Sequence, residues 1–147
     1  MIISQDFKEF IELLNMHNVQ YLVIGGYAVA FHGYPRYTKD IGIWINRTPS
    51  NAENLLRVLE DFGFGTLDLT TEDFLRPGYT IQLGYPPNRI DLLTSLKGVD
   101  FDTCYASKVD DVIDGVRIHF IDVEHLKVSK RIAGRLQDLA DVENLTE

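Results

Sequence analysis

Two stretches decide the fold. The first is Tyr21-Leu22-Val23-Ile24-Gly25-Gly26-Tyr27-Ala28-Val29-Ala30-Phe31-His32-Gly33, and the second is Asp40-Ile41-Gly42-Ile43-Trp44-Ile45. The apolar run from Tyr21 to Ile24 suits a buried strand, and it stops at a glycine pair. Tyr27 to His32 reads as a short helix ended by Gly33. Asp40 to Ile45 alternates strictly. Ile41, Ile43 and Ile45 take one face, and Asp40, Gly42 and Trp44 take the other.

Working outward, Asp6 to Asn15 predicts a helix, with Phe7, Phe10, Ile11 and Leu14 forming one stripe. Asp6 and Glu9 resemble a capping pair for it. Ser50 to Phe62 predicts a second helix, with Ser50 as cap, Glu53 as its partner and Gly63 as stop. Its stripe is Leu55, Leu56, Leu59 and Phe62. Residues 65–77 read as a strand end and one helical turn from Thr71. Tyr79 to Leu83 and Arg89 to Leu93 predict strands joined by a turn through Gly84, Pro86, Pro87 and Asn88. Residues 100–107 are ambiguous. Val116 to Ile121 alternates as a strand. Asp122 caps a helix running to Ala133 and stopped by Gly134, and a last helix covers Leu136 to Leu145. The expected architecture is one α/β (α+β) domain over residues 1–147. Its mixed sheet is flanked by helices, and helices close the chain.

A chain of 147 residues can bury one core, and 45% apolar with 24% charged residues is the composition of a globular protein. The formal charge of -8 argues against wrapping long nucleic acid, which needs clustered Lys and Arg. A nucleotide, or one end of an RNA, remains compatible through a local basic site. The single cysteine, Cys104, excludes an internal disulfide and reads as a buried filler. No signal-peptide pattern and no membrane-length apolar run is seen, so the expected compartment is the cytoplasm and no membrane partner is expected.

Three features carry chemistry. Gly25-Gly26 at a strand-to-helix junction allows close approach of backbone to a ligand, and free N–H groups at a helix start favour an anion. A tight turn without a ligand explains the same pair. Asp40 begins a strand, where a carboxylate can hold a hard cation or act as a turn residue. Asp91 lies in Arg-Ile-Asp-Leu-Leu among apolar neighbours, so its charge requires a partner. That partner is either an arginine, such as Arg89 or Arg36, or a metal ion shared with Asp40.

Jointly these residues resemble the nucleotidyltransferase superfamily of polymerase-beta-like fold. Its signature is an apolar strand, Gly-Gly or Gly-Ser, a helix, then Asp-x-Asp or Asp-x-Glu, with a third carboxylate on a later strand. The segment Gly26 to Asp40 and the tail Leu126 to Asp141 are similar to bacterial stand-alone and toxin–antitoxin-type members, so the resemblance spans nearly the whole chain. It implies that Asp40 and Asp91 are catalytic and metal-binding residues for magnesium. It also implies that Gly25, Gly26, Arg36, Thr38, Lys39 and Lys130 meet a nucleoside triphosphate. The implied reaction moves a nucleotide to a hydroxyl on RNA, a protein or a small molecule, and an antitoxin-like protein partner is implied as well.

One position departs from the pattern. Gly42 stands where the second carboxylate of Asp-x-Asp belongs, and glycine brings no oxygen donor. Three readings follow. The chain is a pseudoenzyme that binds a nucleotide or a partner without turnover, or it is a substituted form of an active enzyme, or Asp68, Glu72 or Asp73 supplies the missing ligand. His32 and Trp44 are secondary candidates for ligand contact, each with a structural role as the alternative. The pair Arg135 and Asp138, with Asp141, reads as structural.

Overall fold

The computed structural model describes residues 3–35 and 38–145, with Thr66 described by its backbone alone. Six strands form one mixed sheet in the order β3-β4-β2-β1-β6-β5. The strands are β1 (Tyr21–Ile24), β2 (Asp40–Ile45), β3 (Thr80–Leu83), β4 (Arg89–Leu93), β5 (Val109–Ile113) and β6 (Val116–Phe120). The helices are α1 (Gln5–Met16), α2 (Gly25–Phe31), α3 (Pro49–Phe62), α4 (Thr71–Leu75), α5 (Phe101–Ala106), α6 (Val123–Ala133) and α7 (Leu136–Leu145). The mixed α/β class read from the sequence is what the chain adopts.

The centre of the sheet is buried on both sides. All of β1 is inaccessible to solvent or nearly so, as are Ile41, Ile43 and Ile45 on β2 and Ile90 and Leu92 on β4. On α1, Phe7, Phe10, Ile11 and Leu14 are buried as the helical period requires. Phe10 meets Phe62 of α3 edge to face at 5.1 Å. Cys104 is buried on α5, and burial pushes its thiol up to about 12, which leaves it an inert filler. Among the described residues no helix is long and apolar enough to cross a membrane.

Four local expectations are corrected. Ser4, not Asp6, caps α1 by accepting from the Phe7 N–H at 3.2 Å, and Asp6 sits inside the first turn, where a carboxylate suits the helix dipole. Thr48, not Ser50, caps α3 by accepting from Asn51 N–H at 3.3 Å, because Pro49 already occupies the first helical position. Residues 65–77 hold a 3-10 turn (Gly65–Leu67) and α4, with no strand. There, Thr70 and Asp73 form a reciprocal capping box and Phe74 buries its ring. β5 was not foreseen. It is an edge strand, exposed over most of its length, so it shows no apolar alternation to read.

Two polar knots fix the helices in place. Buried Asn51 at the start of α3 accepts from Gln20 N–H (2.7 Å) and donates to the carbonyls of Gln20 (3.1 Å) and Asn46 (2.9 Å). It thereby ties the entry of β1 to the exit of β2. Asn51→Ala strands these backbone groups, so a loss of about 2–3 kcal/mol is expected by urea denaturation. Exposed Glu53→Ala, two residues along, is expected within about 0.5 kcal/mol of the parent.

The second knot joins α6 to α7 across Gly134, whose φ of 70° turns the chain. Buried Lys130 donates to Asp138 (3.3 Å) and Asp141 (3.0 Å), and Arg135 adds its Nε to Asp138 at 2.7 Å. Burial pushes the Asp138 carboxyl up, but the Arg135 hydrogen bonds and the Lys130 charge outweigh it and hold it below the usual range. Asp122, the α6 cap, follows suit: burial opposes, and the hydrogen bonds from His125 and Ser107 prevail. A depressed folded-state value stabilises above the unfolded value and is lost as pH falls through the folded one. Stability should therefore be level from neutral pH to about 5 and decline below about 4. Asp138→Asn should flatten that acid limb in pH-dependent urea titrations.

Candidate functional site

The site is built by the parallel pairing of β2 with β4. Its register sets Asp40 beside Arg89 and Gly42 beside Asp91. Period-two geometry puts all four on one face, so two chain segments far apart in sequence deliver their polar residues to one place. On the other side of β2, the antiparallel register sets Ile24 of β1 beside Gly42.

The polar residues bond directly. Arg89 Nη2 donates to Asp40 Oδ2 at 2.7 Å and to Asp91 Oδ2 at 3.0 Å, while Nε donates to Asp91 Oδ1 at 2.9 Å. The guanidinium thus grips Asp91 with two nitrogens and bridges to Asp40 with one of them. The Asp91 hydrogen bond, foremost, keeps Arg89 above its ordinary range, so it is cationic throughout the working pH. Asp91 is the more enclosed acid, its side chain 15% exposed against 37% for Asp40. The partner required by a carboxylate among apolar neighbours is therefore Arg89. Arg36, the other arginine considered, lies outside the described residues.

These residues line a cleft of about 500 Å³ that also takes in Gly25, Gly26 and Thr38 at the β1–α2 and pre-β2 edges, and Ser129 and Lys130 from α6. Gly25 has φ +68° with open space where a Cβ would point, so backbone conformation and not packing requires glycine there. Both glycines belong to α2 itself, which starts two residues earlier than the sequence reading placed it. Thr38 donates its hydroxyl to the Asp40 carbonyl (3.0 Å) and so steadies the strand entry. Lys39 is exposed beside Asp40. Lys130 reaches the cleft wall but spends its ammonium on Asp138 and Asp141.

Several sequence candidates fall elsewhere. Asp68, Glu72 and Asp73 do not line the cleft, and Asp73 is committed to the Thr70 N–H at 2.8 Å. Trp44 is buried against Phe101 (5.1 Å, edge to face) and fills the core. His32 bonds the Ile121 carbonyl at 2.6 Å, a structural role. Sequence reasoning missed Thr80, Ser129 and Gln137 on the cleft wall; single hydroxyls and amides leave no spacing signal. Ser107, Asp122 and His125 also cluster, but serine and aspartate both approach His125 Nδ1, at 3.3 and 2.6 Å. A relay needs them on opposite ring nitrogens, so the cluster is a helix cap.

Magnesium in a two-ion arrangement requires a larger oxygen set than this cleft supplies. Asp40 and Asp91 are both engaged by Arg89, and Gly42 offers no donor. Among the described residues no group of three or more His, Cys, Asp or Glu is arranged to hold a metal. The residues present do not fit that arrangement.

Known proteins agree with the fold. No curated protein matches the chain significantly. A candidate nucleotidyltransferase from Thermotoga maritima superposes with TM-score 0.62 at 14% identity, over 95% of this chain and 89% of that one. An antigenic nucleotidyltransferase-like protein from Paracoccidioides brasiliensis superposes with TM-score 0.59 at 16% identity, over 97% and 77%. At such identities the likeness is one of fold. The model of the family described as nucleotidyltransferase of unknown function matches residues 3–146, so the chain belongs to that family, DUF6036.

Proposed function

We propose that this chain binds a nucleoside triphosphate in the Asp40/Asp91 cleft and carries out little or no metal-dependent nucleotide transfer. The carrying observation is the ladder position of Gly42, directly beside Asp91 and two residues from Asp40. A second carboxylate would stand there in the family pattern, and none does.

The binding half of the reading is supported by the open backbone edge at Gly25 and Gly26, by Thr38 at the cleft wall and by Lys39 beside it. Gly25 and Gly26 present main chain without side-chain bulk, which suits close approach of a phosphate. The transfer half is limited by oxygen donors. Loss of one metal-binding carboxylate is expected to lower the rate roughly 10²-fold or more. The hydroxyl acceptor in the family reaction is RNA, a protein or a small molecule, and an antitoxin-like protein is the proposed partner.

Two measurements test the two halves. In amide NMR titrations with ATP, CTP, GTP and UTP, at least one should shift Gly25, Gly26 and Thr38 selectively. Unshifted cleft amides at millimolar nucleotide would refute binding. For transfer, labelled triphosphates are incubated with RNA, and with the chain itself as acceptor, in magnesium or manganese. The parent should fall about 10²-fold or more below Gly42→Asp. The substitution is accessible: a Cβ at position 42 meets Ile24 Cγ1 at 3.3 Å, so Ile24 must yield slightly. Equally robust turnover by both proteins would remove the reading.

A further inference from the structure

We infer that the Arg89 guanidinium is the resident cation of the cleft. It fills the place between Asp40 and Asp91 and makes ligand uptake independent of a divalent ion. For the identity of the ligand the inference rests on the reading of the cleft as a nucleotide site; for the exclusion of metal it stands on the ion triad alone.

The backbone dictates the triad. Arg89 is two residues before Asp91, hence on the same face of β4, and the ladder sets it beside Asp40. No loop has to close for the three charges to meet. The contacts are two-pronged to Asp91 and single to Asp40, at 2.9, 3.0 and 2.7 Å. Charge-assisted bonds of that geometry are among the strongest available to side chains, and a planar fork suits them in a way an ammonium does not.

A divalent ion has little with which to compete. Magnesium asks for six oxygens in a near-octahedral shell and sheds water reluctantly. Here two carboxylates are the offered donors, and both must first be taken from Arg89. If the guanidinium stayed, a doubly charged ion would sit against it. If it left, its charge would join a wall that already carries Lys130 and Arg135. Those two cations are themselves held by Asp138 and Asp141, so no spare carboxylate on that wall would receive Arg89. An anionic ligand meets the opposite situation. The fork uses Nε and Nη2, while the two N–H donors of Nη1 take no part in these bonds and can donate to a phosphate oxygen without dismantling the triad.

Manganese, whose free ion is counted directly by electron paramagnetic resonance, is the probe. The parent chain should take up manganese weakly. Arg89→Gln, which frees both carboxylates, should bind it about tenfold tighter or more, and adding Asp91→Asn should cancel the gain. Parent affinity equal to or tighter than that of Arg89→Gln would overturn the proposal. The parent itself provides a check that survives any misfolding of the variant. The Arg89 Nε–H resonance of arginine-labelled protein should stay in place as magnesium is raised to millimolar levels, and its displacement by the metal would overturn the proposal equally. Nucleotide affinity should be the same with magnesium and with chelator. If no nucleotide binds in either condition the nucleotide reading fails, while the manganese and Nε–H results still decide the role of Arg89.

Discussion

The parallel ladder between β2 and β4 governs the rest of the molecule's chemistry, and apolar residues hold it in register. Ile41 lies beside Ile90 and Ile43 beside Leu92, and all four are buried. A slip by one residue would turn these side chains toward the cleft and send Asp91 and Arg89 into the core. Core burial therefore opposes any other arrangement of the charged face. The hydrophobic effect fixes the positions of the two acids and the arginine without any direct contribution from them. Asn51 reinforces this by binding the entry of β1 and the exit of β2 to one side chain.

The ion pairs around the cleft form two sets. Arg89 is shared by Asp40 and Asp91 on the sheet, and on the helical wall Lys130 is shared by Asp138 and Asp141 while Arg135 adds to Asp138. In a chain of net charge -8, a cation left open would be the obvious anchor for an anion. These cations are instead largely neutralised from within. On the nucleotide reading proposed above, a phosphate would gain less from long-range attraction than from local donors, and shape and hydrogen bonding at Gly25, Gly26 and Thr38 would gain weight accordingly. Lys130 illustrates the point. Its place on the penultimate helix suggested a phosphate contact, but its burial demands compensation, and Asp138 and Asp141 provide it.

What the sequence disclosed follows from periodicity. β1, β2 and β4 have the bounds that their apolar patterns predict, because each lies against the core and its pattern is the imprint of burial; α7 also has its expected bounds, although the side chains it buries are Asp138 and Asp141. β5 lacks that imprint because its residues face solvent. The caps of α1 and α3 were misplaced because serine, threonine and aspartate near a helix start all satisfy the same rule, and only backbone geometry selects among them. At the site, the glycine pair and the two acids were legible as motif residues. That one guanidinium serves both acids was not, since the reach of Arg89 to Asp40 turns on the register between β2 and β4, which spacing along one chain does not encode. Trp44 failed for the opposite reason. Alternation placed it correctly on the face of Asp40 and Gly42, but α5 covers that part of the face and turns it into core.

Gly42 makes physical sense within this arrangement. Glycine in a strand forgoes side-chain packing and loses more entropy on folding than other residues, so strand stability does not favour it. Its neighbour does exploit it: Ile24 Cγ1 lies 3.3 Å from where a Cβ would be, so the end of β1 packs over the vacant side-chain position. Electrostatics points the same way. Two acids sharing one guanidinium leave a single excess negative charge, and a third acid at position 42 would double it at close range. In the active family pattern divalent ions would absorb that repulsion. With a guanidinium as the counter-ion, a carboxylate at 42 would be an uncompensated charge beside a half-buried pair, which is unfavourable. The absent donor and the internal cation are thus mutually consistent, each limiting the excess negative charge between Asp40 and Asp91.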